Sequence, residues 1–151
     1  MDAFVAEHLS ADAFRAWIAD PAVAVLTAVD PAGLPVGYVV VLDGEPDAAH
    51  TEETALITLH PTCELSKCYV AAEQRGSGLA RRLVAAALTR AARQGRRGMW
   101  LGTNGENARA QHFYRKMGFK ELGPRHFRVG AVVHEDLVME RAIGDGAALG
   151  G

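Results

Sequence analysis

The sequence predicts an α/β or α+β sheet domain. Three features point there: β-rich segments on either side of Asp30-Pro31-Ala32-Gly33, a glycine-rich turn that opens a long amphipathic stretch, and a second amphipathic stretch stopped at Gly118. Strands dominate the first third, and helices alternate with strands later. With 151 residues, 49% of them apolar and 23% charged, the chain has ordinary globular composition. It is long enough to bury about two-thirds of its unfolded surface in one core. Residues 1–143 are expected to form one domain, followed by a Gly/Ala-rich tail over 144–151.

The elements follow in order. Ser10 is a good N-cap for a helix through Phe14, Trp17 and Ile18, ended by Asp20-Pro21. Residues 22–29 and 36–42 read as antiparallel strands joined by a turn, and the acidic stretch 43–53 reads as a loop. Residues 54–59 are expected to form a strand ended by His60-Pro61, and 64–70 a further strand. A helix over 79–93 follows, with Leu79, Leu83, Val84, Ala87, Leu88 and Ala91 on one stripe and Arg81, Arg82, Arg90 and Arg93 largely off it. Residues 99–103 read as a strand and 107–117 as a second amphipathic helix. Residues 119–122 are short and strand-like. Residues 127–129 and 134–140 would form a hairpin around Gly130.

Several function classes are disfavoured at once. The longest apolar runs, such as 36–42, are too short to cross a bilayer, and no charged-then-apolar leader opens the chain. A cytoplasmic protein with no membrane partner is expected. Cys63 and Cys68 lie five apart on one strand, too far to bridge, so both are expected as free thiols. No CxxC, HExxH or His-carboxylate cluster occurs, and no metal is expected. A net charge of -2 gives no reason to expect nucleic acid. Arginines nonetheless crowd residues 75–97, where a local anion site could form.

That site is expected at Gln74-Arg75-Gly76-Ser77-Gly78-Leu79-Ala80. A glycine-rich turn between strand and helix aims backbone N–H groups outward at the positive end of the helix dipole. Phosphate is the obvious guest. A nucleotide P-loop would need Lys and Ser/Thr after Gly78, where Leu79 and Ala80 stand. A dinucleotide fingerprint would need a small residue at Arg81. The spacing that does fit is Arg/Gln-x-x-Gly-x-Gly/Ala, realised as Arg75, Gly78 and Ala80.

Here the sequence resembles the GNAT superfamily of N-acetyltransferases. The stretch from Asn107 to Phe119 is similar to that family's later motif, Asn-x-x-Ala followed by Phe-Tyr-x-x-x-Gly-Phe. Asn107 and Tyr114 lie seven apart, on one helical face. The resemblance implies a mixed, mostly antiparallel central sheet flanked by helices, with acetyl-CoA as co-substrate. It places the CoA pyrophosphate on the amides of Arg75, Gly76, Ser77, Gly78, Leu79 and Ala80, and the pantetheine arm along the preceding strand near Cys68, Val70 and Asn107. Few residues precede the helix at Ser10, so the family's first strand is expected to be missing, and an unpaired sheet edge would invite a homodimer.

Acetyl transfer to an amine needs a base, carbonyl polarisation and protonation of the leaving thiolate. By resemblance Tyr114 is the general acid. The backbone N–H of Val70 or of Cys68 would polarise the carbonyl. Glu64 is the candidate base, with ordered water as the alternative, and alternation puts it on the face of Ser66 and Cys68. Direct transfer is expected over an acetyl-cysteine at Cys68. Arg75, Arg81 and Arg82 are expected at the CoA phosphates, with Arg115 or Lys116 near the adenosine.

The stretch 119–141 resembles the PaiA-like branch, which implies a small-molecule amine acceptor such as spermidine or spermine. Asp43, Glu45, Asp47, Glu52, Glu53, Glu135 and Asp136 are candidates to face its cations. A protein N-terminus, an amino acid, an aminoglycoside, or an acetyl-CoA sensor without turnover remain alternatives.

Overall fold

The computed structural model describes residues 22–46 and 51–144. The helix expected from Ser10, the segment where the first strand is expected to be missing, Asp47 and the tail lie outside the described residues. The elements are β1 (Val23–Val29), β2 (Pro35–Asp43), α1 (Thr51–Leu56), β3 (Thr62–Val70), a 3-10 turn (Ala72–Gln74), α2 (Leu79–Arg93), β4 (Gly98–Asn104), α3 (Ala108–Lys116), β5 (Lys120–Val129) and β6 (Val132–Ala142). The strands form one sheet in the order β1-β2-β3-β4-β6-β5. Every pairing is antiparallel except β3 with β4. The expected architecture, a mostly antiparallel sheet with helices on its faces, is the one observed.

Local chemistry explains most boundaries. The Asp30 carboxylate accepts from the N–H groups of Ala32 and Leu34, both at 2.9 Å, and Gly33 takes φ +86°, so the β1–β2 turn closes where the sequence places it. The stripe read on α2 is its buried side, residue for residue. It packs with α3 against one sheet face, the helical face, in the main core with Val39, Val41, Leu65, Met99, Leu101 and Met139. Burying each Leu or Val of that stripe contributes about 1.5–3 kcal/mol. Arg90, read as off the stripe, forms a two-pronged ion pair with Asp43 at 2.8 and 2.9 Å and ties α2 to β2.

Two expectations are corrected. Residues 54–59 are not a strand: α1 covers Thr51–Leu56, and it also takes the end of the expected loop. The N–H groups of Thr58 and Leu59 donate to the buried Glu140 carboxylate at 3.1 and 3.0 Å, so this backbone is anchored by a side chain instead of a sheet partner. Ile57 packs with Trp100 and Val138 on the face opposite α2, the outer face. The second correction concerns β5, which runs unbroken through Gly123-Pro124 and pairs with β6 from Lys120 to Val129. It is the edge strand, where proline removes no needed hydrogen bond. A register shift between Glu121 and Gly123 absorbs the extra residue, Leu122. Among the described residues, no helix is long and apolar enough to cross a membrane.

Candidate active site

The site begins where the sheet comes apart. β3 and β4 pair only at Thr62–Gly98, Cys63–Met99 and Glu64–Trp100. On the other edge of β3, Leu65 faces Val41 and Lys67 faces Val40, so Ser66 is an extra, bulged residue. A bulge bends its strand and increases the local twist. Beyond Glu64 the two parallel strands therefore diverge and leave a wedge-shaped opening.

The backbone of β3 beside this opening has a defined polarity. Ala71 N–H donates to Val36 O at 2.8 Å. Val70 pairs with Gly37 and Cys68 with Val39. By the alternation of an antiparallel ladder, the N–H groups of Val70 and Cys68 then point away from β2 and into the opening. These are the two amides expected to polarise a carbonyl.

The opening continues into a cleft of about 610 Å³ between the glycine turn, the start of α2 and the face of α3. Cys68, Val70, Arg75, Gly76, Gly78, Leu79, Ala80, Asn107 and Tyr114 all line it, so the structure brings nearly the whole expected cofactor set together. Ser77 and Glu64 are not among the lining residues. The Ser77 hydroxyl bonds Gln74 O and accepts from Leu79 N–H at 3.3 Å, which shapes the turn.

Gly76 and Gly78 have φ +82° and +84°, with nothing within 4 Å of the position a Cβ would take. Their backbone conformation is the reason for glycine here. Gly78 is the N-cap of α2 and has no side chain to satisfy the helix's opening amides, which suits an anionic guest. The start of α3 differs: Asn107 caps it itself, its side-chain oxygen accepting from Ala110 N–H at 3.1 Å.

Tyr114 closes the inner end. Its ring meets Phe113 and Phe119 edge-on, with centroids 5.2 and 5.8 Å away. Burial, and next the nearby Cys68 sulfur, push its phenol well above the usual tyrosine range. Burial likewise pushes the Cys68 thiol up to about 11. Both groups therefore carry their protons at neutral pH. Cys63, buried on the same strand, is also a free thiol, raised by burial to about 12.

The bulge overturns one expectation. Glu64 faces Leu42 across the ladder, whereas Cys68 faces Val39. Val39 belongs to the core under α2, while Leu42 packs with Tyr38 and Val40 on the outer face. Glu64 and Cys68 are thus on opposite faces, because the extra residue reverses the alternation between them. Glu64 sits half-buried at the apex of the opening, beside its last paired neighbour Trp100.

The charged groups sort themselves by partner. Arg82 lines a separate groove against β1, and Arg115 pairs with Glu121, so neither reaches the cleft. Arg109, which the sequence reading passed over, does line it. Its place two residues after Asn107, on the motif's own helix, was the available signal. Gln111 was also missed: buried, it donates to Asn104 O and Gly105 O, both at 3.0 Å, and fixes the β4–α3 loop that presents Asn107.

Most carboxylates proposed to face an amine are held internally. Asp43 pairs with Arg90, Glu45 with His60 and the Thr62 N–H, and Glu52 and Glu135 with His126. Glu53 and Asp136 share Arg125 at 2.9 and 3.1 Å.

Comparison with known proteins agrees with this geometry. The profile of the acetyltransferase (GNAT) family matches residues 2–119. Uncharacterized N-acetyltransferases of Mycobacterium bovis and Mycobacterium tuberculosis are 38% identical over 140 residues, covering 93% of this chain and 80% of theirs. A crystal structure of nourseothricin acetyltransferase superposes with TM-score 0.65 at 26% identity, over 83% of this chain and 68% of that one. A spermidine N-acetyltransferase SpeG mutant from Vibrio cholerae has the same fold, with TM-score 0.68 at 20% identity over 93% and 77% of the two chains. With the glycine turn, the divided sheet and Tyr114 in one cleft, the chain belongs to the GNAT family and is an N-acetyltransferase.

Proposed function

We propose that the protein moves the acetyl group of acetyl-CoA directly to the primary amine of a small polycation, a polyamine being the favoured class. One observation carries the reading: the Val70 and Cys68 amides face an opening that runs from an uncapped helix start to a buried, protonated phenol. An extended amide-containing arm can pair with β3 there, as an added strand pairs with a sheet edge. When bound, acetyl-CoA supplies an activated thioester carbonyl.

The chain's own groups would do the rest. The outward amides of β3 donate to the carbonyl oxygen as negative charge develops. The amine nitrogen forms its bond to carbon while the carbon–sulfur bond breaks. Its proton leaves to Glu64 or to water, and Tyr114 donates to the departing sulfur. The opening joins both faces of the sheet, so an acceptor on the outer face would meet Glu64 while the thioester lies toward Tyr114. Cys68, protonated by burial, has no part as a nucleophile.

The acceptor class draws on two observations. The outer face carries the carboxylates of Glu53 and Asp136, both bonded to Arg125, and Glu64 brings a third to the apex of the opening. SpeG spermidine acetyltransferases share the fold. The 26% identity to nourseothricin acetyltransferase keeps a non-polyamine amine, such as an aminoglycoside, as the second reading.

Thiol release from acetyl-CoA across spermidine, spermine, an aminoglycoside, free amino acids and a peptide N-terminus tests both. The fastest turnover is expected with polyamines. CoA binding by calorimetry with no acetylation of any amine would leave only a binding module.

A further inference from the structure

The arginines of this chain divide by whether they have a partner. Arg90, Arg115, Arg125 and Arg141 each bond a carboxylate or a backbone oxygen within the fold. The side chains of Arg75, Arg81 and Arg109, which line the cleft, have no hydrogen-bond or ion-pair partner among the described residues, and no described carboxylate lines the cleft with them. Among the described residues the cleft therefore carries three uncompensated positive charges beside the amides of the turn and the start of α2.

That is more positive charge than a pyrophosphate requires. The turn and the start of α2 already supply the amides and dipole suited to a pyrophosphate, with Arg75 and Arg81 on the same wall. Arg109 stands apart. It projects from the first turn of α3, across the cleft from the turn, with Tyr114 further along the same helix at the closed end. Its guanidinium is exposed, and the neighbouring Asn107 is already used as the helix cap. A fork of donors placed there suits a terminal phosphate, which offers several oxygens and up to two charges.

Resting on the acetyl-CoA reading above, we infer that Arg109 is a specificity residue for the co-substrate: it binds the 3′-phosphate of the adenosine end and makes the protein discriminate CoA from its dephosphorylated form. The pyrophosphate is left to the turn, so the two contacts are separable.

Calorimetric titration of the whole chain with CoA and with dephospho-CoA tests this. The wild type is expected to bind CoA about tenfold or more tightly than dephospho-CoA, the scale of one charge-assisted contact. In Arg109→Ala the affinity for CoA should fall to that for dephospho-CoA, with the latter unchanged, while Arg109→Lys should keep part of the preference. Arg81→Ala should weaken both ligands together and leave their ratio intact. An unchanged ratio in Arg109→Ala, an equal loss for both ligands, or a wild type that does not discriminate would overturn the assignment while CoA binding itself stands. A wild type that binds neither ligand would overturn the acetyl-CoA reading along with it.

Discussion

The phenol of Tyr114 lies close enough to the sulfur of Cys68 for a thiolate there to raise its proton affinity, and burial, the larger effect, holds the protons of both. Such a pair cannot form the thiolate–base couple of a covalent enzyme. It can offer a hydrogen to a sulfur that becomes negative between them. Tyr114→Phe keeps the ring contacts with Phe113 and Phe119 and removes only the donor. We expect turnover to fall about 10²-fold or more with CoA affinity nearly unchanged. Steady-state kinetics beside calorimetry separates the two; equal losses would contradict the role. Because its proton is held above the ordinary value of about 10, Tyr114 should cause no alkaline loss of activity below that pH.

Cys68→Ala addresses the covalent route. With a thiol near 11, only about one molecule in ten thousand carries a thiolate at pH 7. The variant should retain turnover within about threefold, and mass spectrometry of wild type mixed with acetyl-CoA should show no acetylated cysteine. Abolished turnover together with a stable acetyl adduct on the wild type would reverse this reading.

How far the sequence could be read follows from the range of the forces involved. The α2 stripe, the Asp30 turn and the glycine turn are local patterns, and each appears where it was expected. The same is true of the Asn107–Tyr114 face, since helical spacing alone places both at one cleft. The misses required knowledge of distant partners. Residues 54–59 have β-prone Thr and Ile, but Glu140, more than eighty positions away, takes the amides of Thr58 and Leu59. Gly123-Pro124 reads as a break unless β5 is known to be an edge. The bulge at Ser66 carries no composition signal, yet it decides which face Glu64 occupies.

That placement makes Glu64 testable in a way the plain alternation did not. Set at the apex of the β3–β4 opening and away from Cys68, it can reach an amine on the outer face without contacting the thioester arm. Glu64→Gln preserves size and should lower kcat about 10²-fold at neutral pH, with CoA affinity intact. A loss below twofold would transfer the proton to ordered water and remove Glu64 from the chemistry.

The outer face is held by two parallel rows of charge between α1 and the β5–β6 hairpin. Glu53, Arg125 and Asp136 form the inner row, and Glu52, His126 and Glu135 the outer one. Arg125 also lies over Gly102, where a Cβ would come within 2.3 Å of its guanidinium, and 5.9 Å from the Trp100 ring. Arg125→Leu would leave Glu53 and Asp136, 6% and 9% exposed, without the guanidinium they share. A loss of about 2–4 kcal/mol is expected by chemical denaturation, at the lower end because the arginine is itself 21% exposed. The outer row is exposed and acts through pH instead. Bonding to Glu52, and next to Glu135, raises the His126 imidazole above its ordinary value of about 6.5. Its contribution is therefore complete below that value and disappears as pH rises through the raised one. Stability measured from pH 6 to pH 8 should decline more steeply in the wild type than in His126→Gln, and an NMR titration of His126 should show the elevated midpoint. Identical pH slopes in the two proteins would mean that the outer row contributes nothing to holding α1.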